Sequence, residues 1–215
     1  MINKIVLTGG PCGGKSKALE YLRRTLKKRG YFVLCFPEIP TILFQGGIGL
    51  AMIQNSKERL ASFEDAVLKL QMAFEETGED MAKDLAEENE DAVLIFDRGL
   101  LDPRVYMETG HFCQLLRSNR LTMDKIYNCY GLAIHMVSAA HGAPEHYGRA
   151  DNTARSEDLT FALEIEKRTL EAWNGHPNRV IVPNIIDDRQ ITFKEKLQLT
   201  EKAVMDFLSA KNRTS

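Results

Sequence analysis

Five short apolar runs rich in β-branched residues, at 4–8, 31–36, 92–96, 131–137 and 179–182, alternate along the chain with longer stretches whose apolar residues recur every three or four positions. That alternation predicts βαβ units and a parallel sheet covered by helices on both faces, because strands buried on both sides read as continuous apolar runs. The expected fold class is α/β, a three-layer sandwich around a five-stranded parallel sheet. A first helix is expected from about Lys15 to Lys28, since a Lys/Arg-rich last turn followed by Gly30 is a helix-end signal. Helical spacing returns over 164–173, before a His176-Pro177-Asn178 turn. It returns again over about 193–208, with Leu197, Val204, Phe207 and Leu208 on one side and fraying expected from Asn212.

Two segments depart from the simple alternation. Between the second and third strands lies an insert, about 40–91, in which Leu60, Phe63, Val67, Leu70 and Phe74 form one apolar stripe and predict a helix packed on the sheet. Gly46-Gly47-Ile48-Gly49, with Thr41 and Gln45 nearby, carries too much glycine for a regular helix and reads as a mobile segment near a substrate site. After the fourth strand, about 141–158 is polar, with Gly142, Pro144, Gly148, Glu145, Arg149, Asp151, Arg155 and Glu157. A connector of that length inside a compact domain is usually functional, so it is expected to be a lid. With neither repeats nor low-complexity tracts, residues 1–215 read as a single domain.

Composition narrows the partners. The 215 residues are 44% hydrophobic and 27% charged with a formal net charge of −2, which is ordinary for a domain with a sizeable core. A pI near 6.2 lacks the broad basic field that nucleic-acid binding requires. The local cluster Arg23, Arg24, Lys27, Lys28 and Arg29 reads as the solvated face of the first helix, and it admits peripheral contact with acidic lipids. Cys12, Cys35, Cys113 and Cys129 lack metal-ligand spacing and read as free thiols, and no apolar run approaches the ~20 residues of a membrane span. The chain is expected to be cytoplasmic, without a targeting segment; the oligomeric state is left open.

The strongest chemical signal is Gly9-Gly10-Pro11-Cys12-Gly13-Gly14-Lys15-Ser16, a match to G-x-x-x-x-G-K-[ST] between the first strand and the first helix. Glycine lets successive backbone N–H groups turn toward an anion without Cβ atoms in the way, and the helix N-terminus adds its dipole. Lys15 is expected to reach the β- and γ-phosphates of ATP or GTP, and Ser16 to give one oxygen to Mg2+. Lys17, next on the helix, joins the loop as a candidate nucleotide contact.

In an open parallel sheet the ligand lies beyond the carboxyl ends of the strands, so residues there are candidates. Asp97, after the third strand, is expected to hold magnesium with Ser16. Arg98 occupies the place where P-loop hydrolases often carry a water-polarising glutamate, and is a candidate catalytic residue of another kind. Glu38, after the second strand, is a candidate base for an acceptor hydroxyl. Arg149 and Arg155 could neutralise charge on a transferring phosphoryl group. Asn184, after the fifth strand, is a further candidate nucleotide contact. His135, His141 and His146 lack metal-ligand spacing.

Taken together, the phosphate loop at 9–16, Pro37-Glu38, Asp97-Arg98-Gly99 with Asp102, the Asn152-x-x-Arg155-x-Glu157 loop, Trp173 and His176-Pro177 resemble one family. It is the AAA-like P-loop family that groups the kinase domain of the bacterial NadR regulator with the eukaryotic TRPL translocation defect protein. The resemblance covers nearly the whole chain and implies a P-loop NTPase fold of the nucleoside or nucleotide kinase type, with a lid over about 141–157. The chain also resembles deoxynucleoside kinases in carrying an acid after strand two, where that family places its base. The family spans a nicotinamide riboside kinase and members tied to nucleotide and membrane-lipid binding, so it implies no particular acceptor. Three readings follow: a kinase for a small hydroxyl acceptor, a nucleotide-dependent switch for a protein or membrane partner, and an oligomeric mechanical ATPase.

Overall fold

The structure, a computed structural model, describes residues 1–87, 90–143, 159–211 and 213. Strands β1 (Ile2–Thr8), β2 (Phe32–Phe36), β3 (Ala92–Asp97), β4 (Leu132–Met136) and β5 (Arg179–Val182) form a five-stranded sheet in the order β2-β3-β1-β4-β5. Every pairing is parallel, and Ile5 of β1 lies opposite Ile95 on one side and Leu132 on the other. This is the five-stranded parallel α/β sandwich that the strand pattern anticipates, with strand limits within two residues of those expected.

Strand alternation sorts the core into two layers. Ile5 and Leu7 of β1, with Ile95 and Ile134, pack against Ala18, Leu22 and Leu26 of α1 (Lys15–Lys28) and Val204 and Leu208 of α8 (Phe193–Lys211). Val6, Leu94, Phe96 and Ala133 point to the opposite face. There they meet Leu68 of α4 (Lys57–Leu85), Phe112 and Leu115 of α5 (Thr109–Ser118), Ile126 of α6 (Met123–Cys129), and Ile165 of α7 (Leu159–Ala172) with Trp173. The basic residues Arg23, Arg24, Lys27, Lys28 and Arg29 lie exposed on α1, with Arg29 paired to Glu201 at 2.9 Å. Among the described residues no helix is long and apolar enough to cross a membrane.

The insert folds as α2 (Ile39–Gln45), α3 (Leu50–Gln54) and the long α4, with the glycine-rich 46–49 stretch as the turn between the first two. Ile39, Ile53, Phe63 and Val67 form a small core of their own. The apolar stripe requires a correction at Leu70, which is exposed. The buried face of α4 runs instead through Phe63, Val67, Leu68, Gln71, Glu75, Gly78 and Ala82. Polar members of that row were invisible to an apolar count because they are satisfied internally: Glu75 pairs with buried Lys4 of β1 at 2.8 Å and accepts the Tyr130 hydroxyl.

At Gly78, α4 lies close against the sheet. A Cβ there would lie 2.6 Å from Cζ of Phe36, whose ring cannot swing away because Phe96 stacks on it at 4.7 Å and Phe74 tilts against it at 5.6 Å. Gly78→Ala gains about 1 kcal/mol of helix propensity and incurs about 1–3 kcal/mol of overpacking, so the expected result is net destabilisation. Thermal unfolding should show a lower Tm by a few degrees; a higher Tm would mean that the Phe36 ring yields.

Candidate active site

The loop between β1 and α1 lies against the end of β4. Gly9 and Gly14 take φ of 129° and 87°, values that L side chains resist, and a Cβ on Gly9 or Gly13 would run into the carbonyl of Met136. The first turn of α1 has no side-chain cap and no acidic residue, so its N–H groups and dipole remain for an anion. Buried Lys15 donates from Nζ to the carbonyls of Gly9 at 3.0 Å and Gly10 at 2.8 Å. Ser16 and Lys17 are exposed on the same turn.

The outer half of the loop is braced from the β4 side. Ser138, just after β4, donates its hydroxyl to the Pro11 carbonyl, and the Ala139 N–H reaches the Cys12 carbonyl at 3.3 Å. Gly10 N–H donates to Oε2 of Glu166 on α7 at 2.7 Å, while Oε1 of the same carboxylate bonds Nε2 of His135 on β4 at 2.8 Å. Burial alone would raise the Glu166 carboxyl, but bonds from His135 and from the backbone N–H groups of Gly10 and Ser138 outweigh it and hold the group below the usual carboxylate range.

Across the loop stands Asp97, the buried last residue of β3. Its Oδ2 accepts the Ser16 hydroxyl at 2.8 Å, and its Oδ1 is buried without a hydrogen-bond partner among the described residues. Burial raises this carboxyl, with Lys15 opposing and Glu38 adding to the rise. A lone buried carboxylate oxygen beside a loop hydroxyl is a hard-oxygen pair suited to hydrated magnesium, so Ser16 and Asp97 fit the ion. The described residues contain no cluster of three or more His, Cys, Asp or Glu side chains able to hold a metal by themselves.

Arg98 follows at φ 69°, the left-handed region, pinned by its N–H to the Leu7 carbonyl at 2.9 Å. This turn sends its buried guanidinium back over the strand ends. Nε pairs with Glu38 Oε1, and Nη1 reaches Asp102 Oδ1 at 3.3 Å and the Gly9 carbonyl at 3.5 Å. Glu38, the residue before α2, also accepts the Thr41 hydroxyl at 3.2 Å. Asp102 collects Thr8 Oγ1 at 2.9 Å, Gly99 N–H at 2.9 Å and Trp173 Nε1 at 3.3 Å. The structure therefore brings Glu38, Asp97, Arg98, Lys15 and Ser16 to one end of the sheet.

A family model for an AAA domain matches residues 4–189, which takes in the phosphate loop, the 97–102 turn and Glu166. The chain belongs to this AAA domain family. No curated protein matches it. Membership gives the loop its coarse function, nucleotide binding, with magnesium the usual companion in P-loop NTPases.

Other candidates of this AAA domain stand differently. The Asn184 amide donates to the carbonyls of Ser138 and His141, each at 2.7 Å, and its Oδ1 accepts Lys196 Nζ at 2.7 Å, so the side chain braces the β4–β5 end. Arg149 and Arg155, and the expected lid from 144 onward, lie outside the described residues. Ser138, Glu166 and Glu64 escaped the sequence reading, which weighed His135 only as a metal ligand. Only Ser138 carried a signal, its place just beyond a strand; Glu166 and Glu64 are acids on helices whose roles arise from packing.

Glu64 of α4 is buried near this cluster, and its carboxyl is pushed up to about 8 by burial, with Arg98 opposing and Asp102 and Glu38 adding. Across the window from the ordinary value of 4.5 to about 8, the folded chain keeps a proton that the unfolded chain has lost, so this group's contribution to stability falls as pH rises and levels off above it. Urea unfolding of Glu64→Gln should accordingly show a flatter stability profile, with the variant gaining on the native chain between pH 5 and pH 8. An unchanged slope would mean that Glu64 is ionised in the fold.

Proposed function

We propose that this AAA domain chain is a magnesium-dependent kinase that moves the γ-phosphoryl group of ATP or GTP to a hydroxyl of a small, nucleoside-like acceptor. The observation that carries the reading is the Glu38–Arg98 pair, a carboxylate held beside the phosphate loop by a guanidinium that touches the loop's own Gly9 carbonyl. A base fixed in this way suits a hydroxyl nucleophile; a hydrolase needs a residue that holds water, and Arg98 takes that place.

In this reading Glu38 takes the proton of the acceptor hydroxyl as that oxygen bonds to the γ-phosphorus and the bond to the β-phosphate oxygen breaks. Lys15 and the first-turn N–H groups of α1 stabilise the charge that develops on the phosphate oxygens. Magnesium on Ser16 and Asp97 would supply further neutralisation of those oxygens. Arg98 orients Glu38 through their ion pair; Arg149 and Arg155 are the candidates for the transferring phosphoryl group. Lys17 contributes positive charge at the loop mouth.

A second reading, a nucleotide-dependent switch for a protein or membrane partner, draws on the Gly10–Glu166 bond. That bond ties the phosphate loop to α7, the helix that follows the 141–158 segment, so a change at the loop is felt where a partner or the exposed basic face of α1 could respond.

The deciding assay is ADP or GDP release with magnesium, with and without a panel of nucleosides and nicotinamide riboside. The kinase reading expects acceptor-stimulated release, about 100-fold or more weaker in Glu38→Gln, with nucleotide affinity nearly unchanged. Undiminished transfer in that variant takes the base role from Glu38. Tight nucleotide binding that no acceptor converts into turnover favours the switch.

A further inference from the structure

Phe193 is a large aromatic that touches the phosphate loop and yet is 46% exposed. It is the first residue of α8, and its ring lies over Gly14: a Cβ on that glycine would sit 2.5 Å from Cε2 and 3.0 Å from Cζ. Packing the ring against a neighbour would normally hide it. Here one edge lies against the loop backbone and much of the rest faces solvent; the β6–β7 hairpin (Ile185–Ile186 and Arg189–Gln190) precedes it in the chain.

The ring's mounting is rigid. Thr192 and Glu195 form a reciprocal cap: Thr192 N–H donates to Glu195 Oε2 at 2.7 Å, and Glu195 N–H donates to Thr192 Oγ1 at 3.2 Å. Arg189 clamps the same carboxylate at 2.7 Å, the Ile191 N–H reaches the Asn184 carbonyl at 2.9 Å, and Lys196 one turn along is locked to the Asn184 side chain. Arg189, Ile191 and Thr192 before Phe193 and Glu195 and Lys196 after it are thus tied down, while nearly half of the ring stays exposed.

We propose that the exposed face of Phe193 is the stacking platform for the nucleobase of the nucleotide whose phosphates the 9–16 loop holds. The inference rests on the nucleotide-binding reading of that loop. A nucleotide carries its phosphates and its flat aromatic base on either side of one ribose, so a ring in contact with the end of the phosphate loop stands within that span. Stacking on a phenyl face tolerates any base, and it supplies binding without the guanine-reading Asn-Lys-x-Asp sequence, which the chain lacks. Gly14 is then doubly required, by its φ of 87° and by the ring above it.

Inorganic tripolyphosphate separates base from phosphate. By calorimetry Phe193→Ala should weaken ATP and GTP about tenfold and leave tripolyphosphate unchanged. Equal weakening of tripolyphosphate would make Phe193 a support for the loop, and unchanged nucleotide affinity would remove it from the site; either overturns the proposal. A native chain that binds neither ligand overturns the nucleotide reading itself and the platform with it. Phe193→Trp provides an independent readout, because the chain's single tryptophan, Trp173, is fully buried. Emission of the new exposed indole should be quenched by ATP and not by tripolyphosphate, and an indole that ATP leaves unquenched counts against stacking.

Discussion

A guanidinium removed from water costs several kcal/mol unless its charge is matched and its donors are used, and the burial of Arg98 imposes that demand at the carboxyl end of the central strands. Much of the site's arrangement answers it. Asp102 must come close, which the 3-10 turn of 102–106 achieves four residues later, and Glu38 must lie at the end of the neighbouring β2. The left-handed turn at Arg98 is the strained backbone that makes this reach feasible. Glu64 is buried nearby, and burial first, with Asp102 and Glu38 adding and Arg98 opposing, raises its proton affinity.

The phosphate loop depends on a second set of constraints from the other side of β1. Its glycines permit it to lie on the Met136 carbonyl, but the position of the loop is determined by donors and acceptors from β4 and α7: Ser138 to Pro11, Gly10 to Glu166, and Glu166 to His135. Asn184 and Lys196 hold the strand ends from which those groups project. Lys196 shows what this costs, since burial, partly offset by Glu166, brings its ammonium down to about 8. The anion site is therefore held in place by backbone groups and by the Glu166, Ser138 and Asn184 side chains around it, so little reorganisation opposes the arrival of charge.

The parallel sheet, α1 with its Gly30 end, and the loop at 9–16 were legible in the sequence because each rests on local information: apolar runs, a basic last turn and fixed glycine spacing. Asp97 and Glu38 were singled out by a topological rule, that ligands gather beyond the strand ends, and the structure places both beside the phosphate loop. The face of α4 was misread at Leu70, since a helix whose buried row contains Gln71 and Glu75 defeats an apolar count. Glu166 lies on a helix far along the chain from Gly10, 156 residues away, and no local pattern encodes a contact at that separation. Asn184 was found by the strand-end rule, but its amide braces the β4–β5 end, a distinction only partners can make.

The two constraints together divide the site by charge. On the β4 side lie Lys15 and the uncapped N-terminus of α1, which favour phosphate. On the β2 side lie Glu38, Asp102 and Glu64 around one guanidinium, so the ionised groups there sum to no net positive charge even with Glu64 protonated. Under the kinase proposal, an acceptor that reaches Glu38 meets carboxyls and a cation already paired with them. A phosphate monoester would be repelled there and would have to displace Glu38 from Arg98 to find a partner. A neutral alcohol does neither: its hydroxyl can donate to Glu38 while the Arg98 pairing stays intact. Under the kinase proposal, the charge pattern of the cluster thus favours an uncharged hydroxyl acceptor over a phosphorylated one before pocket shape enters.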